Sequence, residues 1–189
     1  MKVLPCNSSL NKNLVLLLLF LTFAFSSKAQ LRQIYSDMVS TSNDIQKISF
    51  YTPAQGYIAS TDASWDWVGY TADSGRTYIK RPITLANVDY NGYSVNLTFG
   101  FGIAGVKAFD QNNILVYGDY GLVPAILKST NGGVSYLLVY HSQVGPTTFS
   151  TLSDMIFPQD NSVGFAVDGY KIIKTTNGGS NWAVVYNGS

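Results

Sequence analysis

One eight-residue pattern recurs three times along this chain, and nothing else in the sequence constrains its fold as strongly. The copies are residues 71–78, 129–136 and 175–182. Each opens on a hydroxyl (Thr71, Ser129, Thr175) and places an acid or amide two residues later (Asp73, Asn131, Asn177). A glycine follows after two more (Gly75, Gly133, Gly179), and an aromatic closes the pattern (Tyr78, Tyr136, Trp182). The upstream halves repeat as well. Ile48-Ser49-Phe50 leads to Gly56-Tyr57, and Met155-Ile156-Phe157 leads to Gly164-Phe165. Val106-Lys107-Ala108-Phe109 opens the middle copy, which reaches Val116-Tyr117-Gly118 instead. Self-similarity at such a period means one supersecondary unit, stacked on copies of itself to bury a shared core.

The unit reads as a four-stranded meander. Short apolar or alternating runs are separated by Asn, Asp, Gly and Pro clusters, and no helical period follows the first 29 residues. The octapeptide is then a hairpin turn. Its Asp or Asn oxygen accepts turn amides, its glycine supplies a positive φ, and the aromatic begins the next strand. The expected fold is all-β: a partial propeller of about three four-stranded antiparallel blades.

The octapeptide resembles the Asp-box, or bacterial neuraminidase repeat, of sialidases, sortilin-type receptors, some glycoside hydrolases and photosystem II assembly factor-like proteins. Thr175-Thr176-Asn177-Gly178-Gly179, closed by Trp182 and preceded by Phe157 and Gly164-Phe165, is most similar to the last group. The resemblance covers most of residues 44–187. It implies that the boxes are structural turns between the third and fourth strands of a blade, away from the usual ligand-binding face. It therefore implies fold more than activity. The first copy departs from it, with Ser74-Gly75 for Gly-Gly and Tyr78 for Trp.

Residues 1–29 read as a secretory signal peptide. Lys2 and Lys12 precede an almost wholly apolar run, Leu14 to Phe25, and Ser27-Lys28-Ala29 supplies a small-residue cleavage site. That run falls short of the roughly 20 residues a spanning helix needs, so no stable membrane anchor is expected. The expected mature chain, 30–189, starts at Gln30 and is secreted, periplasmic or on the cell surface. It carries nine basic residues against eleven aspartates, no cysteine and no glutamate. Its charge gives no reason to expect nucleic acid as a partner.

Spacing marks one insertion. Gly75 to Gly133 spans 58 residues and Gly133 to Gly179 spans 46, so the first interval holds a surplus, assigned to Pro82–Gly102 as a longer hairpin or an extra strand pair. Tyr90 and Tyr93 in this stretch, with Trp65 and Trp67, are the candidate ligand-facing aromatics; Trp65 and Trp67 share one strand face and either stack on a sugar or cover a blade edge. His141 is the only histidine and has no cysteine or glutamate to share a metal. No metal and no cofactor is expected. Nor does a catalytic set emerge: sialidase-like chemistry needs a glutamate and an arginine cluster, and the chain has only Arg32, Arg76 and Arg81.

These observations favour an exported, non-catalytic scaffold for a protein or glycan, with a glycoside hydrolase-related propeller of the sialidase or xyloglucanase type as the alternative. At roughly 45 residues per blade, 30–189 makes about three and a half blades. Gln30 to Tyr35 resembles the strands after the second and third boxes. The missing blades are expected from a longer chain or another copy.

Overall fold

The computed structural model describes residues 44–61, 66–96, 98, 100–142 and 152–188. The signal-peptide reading, Gln30 to Tyr35 and Trp65 lie outside these residues. Among the described residues no helix is long and apolar enough to cross a membrane.

The described chain is all strand and turn, in three sheets, each built on a four-stranded antiparallel meander. The first blade is β1 (Asp44–Phe50), β2 (Gly56–Thr61), β3 (Trp67–Thr71) and β4 (Ile79–Pro82), hydrogen-bonded in that order. The second adds β5 (Val88–Asp89) to β6 (Phe101–Ala108), β7 (Ile114–Tyr120), β8 (Val123–Ser129) and β9 (Tyr136–His141). β10 (Leu152–Ile156), β11 (Gly164–Asp168), β12 (Lys171–Thr175) and β13 (Ala183–Asn187) make the third. The first strand of each blade is innermost: β6 packs on both β1 and β10. These inner strands all carry an irregularity at one position, between Ile45 and Lys47, Ile103 and Gly105, and Leu152 and Asp154. A bulge there adds local twist where the blades converge.

Each seam between blades has its own core. Between the first and second blades, Tyr57, Ala59, Val68 and Tyr70 meet Ile103, Val106 and Ala108. Between the second and third, Leu115, Tyr117 and Ile126 meet Leu152 and Met155, with Phe157 and Trp182 packed alongside. Burial of such side chains at roughly 25 cal/mol per Å² is the main force holding blade to blade. Tyr136 and Trp182, the closing aromatics of two octapeptides, lie in these seams, as the sequence pattern suggested.

Two sequence expectations are corrected. The surplus between Pro82 and Gly102 is not a longer hairpin or a strand pair. Among the described residues it holds a 3-10 turn, Leu85–Asn87, and a two-residue strand, β5, running parallel to β9. Lying outside β9, it covers a sheet edge that would otherwise offer unpaired backbone groups. The second correction is one of register. Gly56, Ile114 and Gly164 stand opposite the hydroxyls Thr71, Ser129 and Thr175, so Ile114, not Gly118, is the middle counterpart of Gly56 and Gly164. The reason is volume. A Cβ on Gly56 would lie 2.6 Å from the Phe50 ring, and one on Gly164 2.5 Å from the Phe157 ring. In the middle blade the sizes are exchanged, with Ala108 paired to Ile114.

Candidate functional site

The three octapeptide turns are built alike, atom for atom. The hydroxyl oxygens of Thr71, Ser129 and Thr175 accept the amides of Gly75, Gly133 and Gly179 at 2.9, 2.8 and 3.0 Å. The same hydroxyls donate to Oδ1 of Asp73, Asn131 and Asn177 at 2.9, 2.9 and 3.0 Å. Those oxygens in turn accept the amides of Thr77, Ser135 and Asn181 at 2.9, 2.9 and 3.0 Å. The second turn residue, Ser74, Gly132 or Gly178, donates its amide at 2.8 Å to Ala54, Asn112 or Ser162 in the preceding hairpin turn. Sequence reasoning assigned the acid or amide and the glycine correctly. It missed the buried hydroxyl as the relay between them.

Left-handed backbone is needed twice per turn: φ is +70° and +89° at Gly132 and Gly133, and +65° and +79° at Gly178 and Gly179. In the first turn the earlier position is Ser74, at φ +62°, a conformation that costs a residue bearing a Cβ about 1–2 kcal/mol. Only this turn carries a titratable acceptor. The Thr77 amide and hydroxyl hold the Asp73 carboxyl below the usual carboxylate range. A depressed pKa contributes stability above the unfolded carboxylate range, and that contribution is lost as pH falls through the folded value. Asp73→Asn, which copies the other two turns, should therefore flatten the acid limb of a Tm-against-pH curve as pH falls through and below the usual carboxylate range. An unchanged limb would mean that the turn does not hold the carboxylate.

The turns also join the blades. The carbonyl of Gly132 accepts from Arg81 Nη1 of the first blade, and the Tyr57 hydroxyl lies 3.2 Å from the same oxygen. One blade on, Lys128 Nζ donates to the Gly178 carbonyl at 2.9 Å and to Ser180 Oγ at 2.8 Å. A groove of about 400 Å³ at this rim is lined by Asp89, Lys128, Thr130, Tyr136, Leu137 and Ser180. Its one cation is already committed to holding the third blade.

The opposite end of the blades gathers different chemistry. Asp66 Oδ2 accepts the Ile103 amide at 2.8 Å, and Asp119 Oδ1 accepts the Leu122 amide at 2.9 Å. Asp119 also stands opposite Gly102 at the start of β6, and burial pushes its carboxyl up. Tyr93 faces His141 with ring centroids 6.1 Å apart, and burial pulls the His141 pKa down. Tyr90 packs edge-on against Tyr120 at 5.8 Å. Both tyrosines are half-buried against the first seam. Trp67 is only 1% exposed, with Lys80 Nζ 4.5 Å from its ring centroid. Its burial fits the blade-covering role and leaves no open face for a sugar.

Sequence reasoning missed one buried polar group at this end. Asp168, 1% exposed, accepts the Tyr140 hydroxyl at 2.5 Å and the Ser142 hydroxyl at 2.8 Å, fastening the second blade to the third. The repeat could not reveal it, because Asp168 occupies the position filled by Ser60 and Gly118 in the other blades. Among the described residues, Asp89, Asp110 and Asp160 are turn acceptors that each take nearby backbone amides. On the inner strands, Lys47 and Asp154 form an ion pair at 3.1 Å. Their hydrogen bond raises the Lys47 pKa and lowers that of Asp154.

No family model matches the chain, and no curated protein matches it. Among solved structures it is similar to a GH74 enzyme from Niastella koreensis, at 15% identity and a TM-score of 0.51. The similarity covers 75% of this chain and 22% of that one, so this chain spans about a fifth of its neighbour's length. At this identity the likeness concerns the fold alone, and it fits a partial β-propeller.

Proposed function

We propose that this chain is an exported, non-catalytic Asp-box scaffold that binds a protein or glycan on the end of its blades opposite the boxes. The observation that carries the reading is the use of the box polar groups. In all three copies the hydroxyl, the acid or amide and the glycine amide bond to one another, so the repeated residues support a turn and not a ligand. The opposite end keeps the exposed tips of the β7–β8 and β11–β12 turns, where Leu122 and Tyr170 are about half exposed. Loops on a rigid scaffold are where binding concentrates. The absence of glutamate from the whole chain supports the non-catalytic half of the proposal.

Glycan and peptide arrays probed with the full exported chain test it. Binding should fall at least tenfold on Tyr170→Ala or Leu122→Ala and stay unchanged on Asn131→Ala in folded protein. Loss of binding only with the box variant would overturn the reading. The hydrolase alternative draws on one observation, the Asp66 and Asp119 carboxylates beside β6, one of them with a raised pKa. Sialosides, β-glucan and xyloglucan oligosaccharides should show no turnover. Turnover abolished by Asp119→Asn or Asp66→Asn would establish the alternative.

A further inference from the structure

The outer faces of the first and third blades are the two halves of a seam that the chain forms twice within itself. Register makes them comparable. Ile45, Ile48 and Phe50 occupy in β1 the positions of Ile103, Val106 and Ala108 in β6, and of Leu152, Met155 and Phe157 in the third blade. In the second blade these residues are all buried against the preceding blade. In the first blade Ile45 and Ile48 are each 61% exposed, and Phe50 is 39% exposed.

The rear face repeats the relation. Tyr57, Ala59, Val68 and Tyr70 of the first blade, and Leu115, Tyr117, Ile126 and Lys128 of the second, receive the next blade. The third blade offers Phe165, Val167, Ile172 and Lys174 at the same register positions. Val167 and Ile172 are 37% and 38% exposed. Lys174 stands where Lys128 does, one residue before the box hydroxyl, and its amine lies 5.6 Å from the Phe165 ring centroid. Lys128 shows what this position does when a blade follows: it binds the carbonyl of the next box.

We propose that a second copy of this chain seats its first blade on the rear face of the third, and the reverse, closing the two arcs into one ring. Lys174 then donates to the carbonyl of Ser74 in the partner copy, the counterpart of Gly132 and Gly178. Ile45, Ile48 and Phe50 of one copy cover Phe165, Val167 and Ile172 of the other. A head-to-tail contact that closes gives a finite assembly and leaves no exposed seam. The inference rests on the blade register alone and is independent of any ligand.

Sedimentation of the full exported chain should show a dimer. Ile48→Asp, at the front face, and Ile172→Asp, at the rear, should each give a folded monomer, with strand content checked by circular dichroism. Mixing the two variants should restore a heterodimer, because one intact front still meets one intact rear. Lys174→Met should weaken dimerisation about tenfold, the scale of one charge-assisted hydrogen bond, and Lys174→Arg should largely restore it. A monomeric parent chain would overturn the proposal. So would a dimer lost with one face variant only, which means like-to-like packing, or an open polymer, which means that the ring does not close.

Discussion

Gly118→Ala should cost this fold about 3 kcal/mol or more, enough to leave a marginally stable domain largely unfolded. The reason is not conformational freedom. Gly118 sits in the middle of β7, paired with Ile103 across the irregularity in β6. A Cβ there would overlap the carbonyl oxygen of Gly102 and lie 2.9 Å from its carbon and 3.1 Å from the Ala104 nitrogen. All three obstacles are backbone atoms of the neighbouring strand, so no rotamer change relieves the clash, and the strands must part. Urea unfolding measures the outcome: the midpoint should collapse, or the cooperative transition should disappear. An unfolding free energy within about 1 kcal/mol of the parent would show that β6 and β7 leave room for the Cβ.

Gly118 also shows where sequence reading stopped. Turn chemistry was legible, because it is local. The spacing of Thr71, Asp73 and Gly75 and its two echoes specify a hydrogen-bonded hairpin whatever surrounds them. Blade count and strand count followed from repetition of that signal. Strand-interior glycines are a different matter. Gly118 appeared to answer Gly56 and Gly164, yet those two make room for Phe50 and Phe157 while Gly118 makes room for a strand backbone. Only the register separates the two reasons. Trp67 stayed open between two roles for a similar cause: alternation places it on a face but does not say whether that face meets solvent or another blade.

The proposed ligand end was less legible still. Asp168 breaks the repeat and so gave no periodic signal, although it joins two blades through Tyr140 and Ser142. Tyr90 and Tyr93 were found from an anomaly in spacing, and the structure carries their segment along the outer edge of β9. The anomaly located the insertion correctly. Its parallel pairing depends on contacts some 48 residues apart, between Val88 and Tyr136, which no local pattern encodes.

Those long-range contacts set the size of the second large effect. Gly179→Ala should destabilise by about 2–5 kcal/mol, well beyond what the turn alone demands. Two penalties add. At φ +79° a Cβ costs about 1–2 kcal/mol. That Cβ would also lie 2.5 and 2.8 Å from the two methyl carbons of Leu115 in the preceding blade, and overpacking costs a further 1–3 kcal/mol. Leu115 is fully buried, so its methyls have no free space to swing into. Gly92 provides the control: its φ is +77°, yet a Cβ there meets nothing within 4 Å. Gly92→Ala should thus cost only the backbone penalty, and the difference between the two variants measures the seam. A double-mutant cycle isolates the contact. Leu115→Ala alone should cost about 2–5 kcal/mol, but beside Gly179→Ala it removes the clash, so the pair should fall short of the sum by about 1–3 kcal/mol. Strict additivity would mean that the third box does not bear on the second blade, and the box would then be a turn and nothing more.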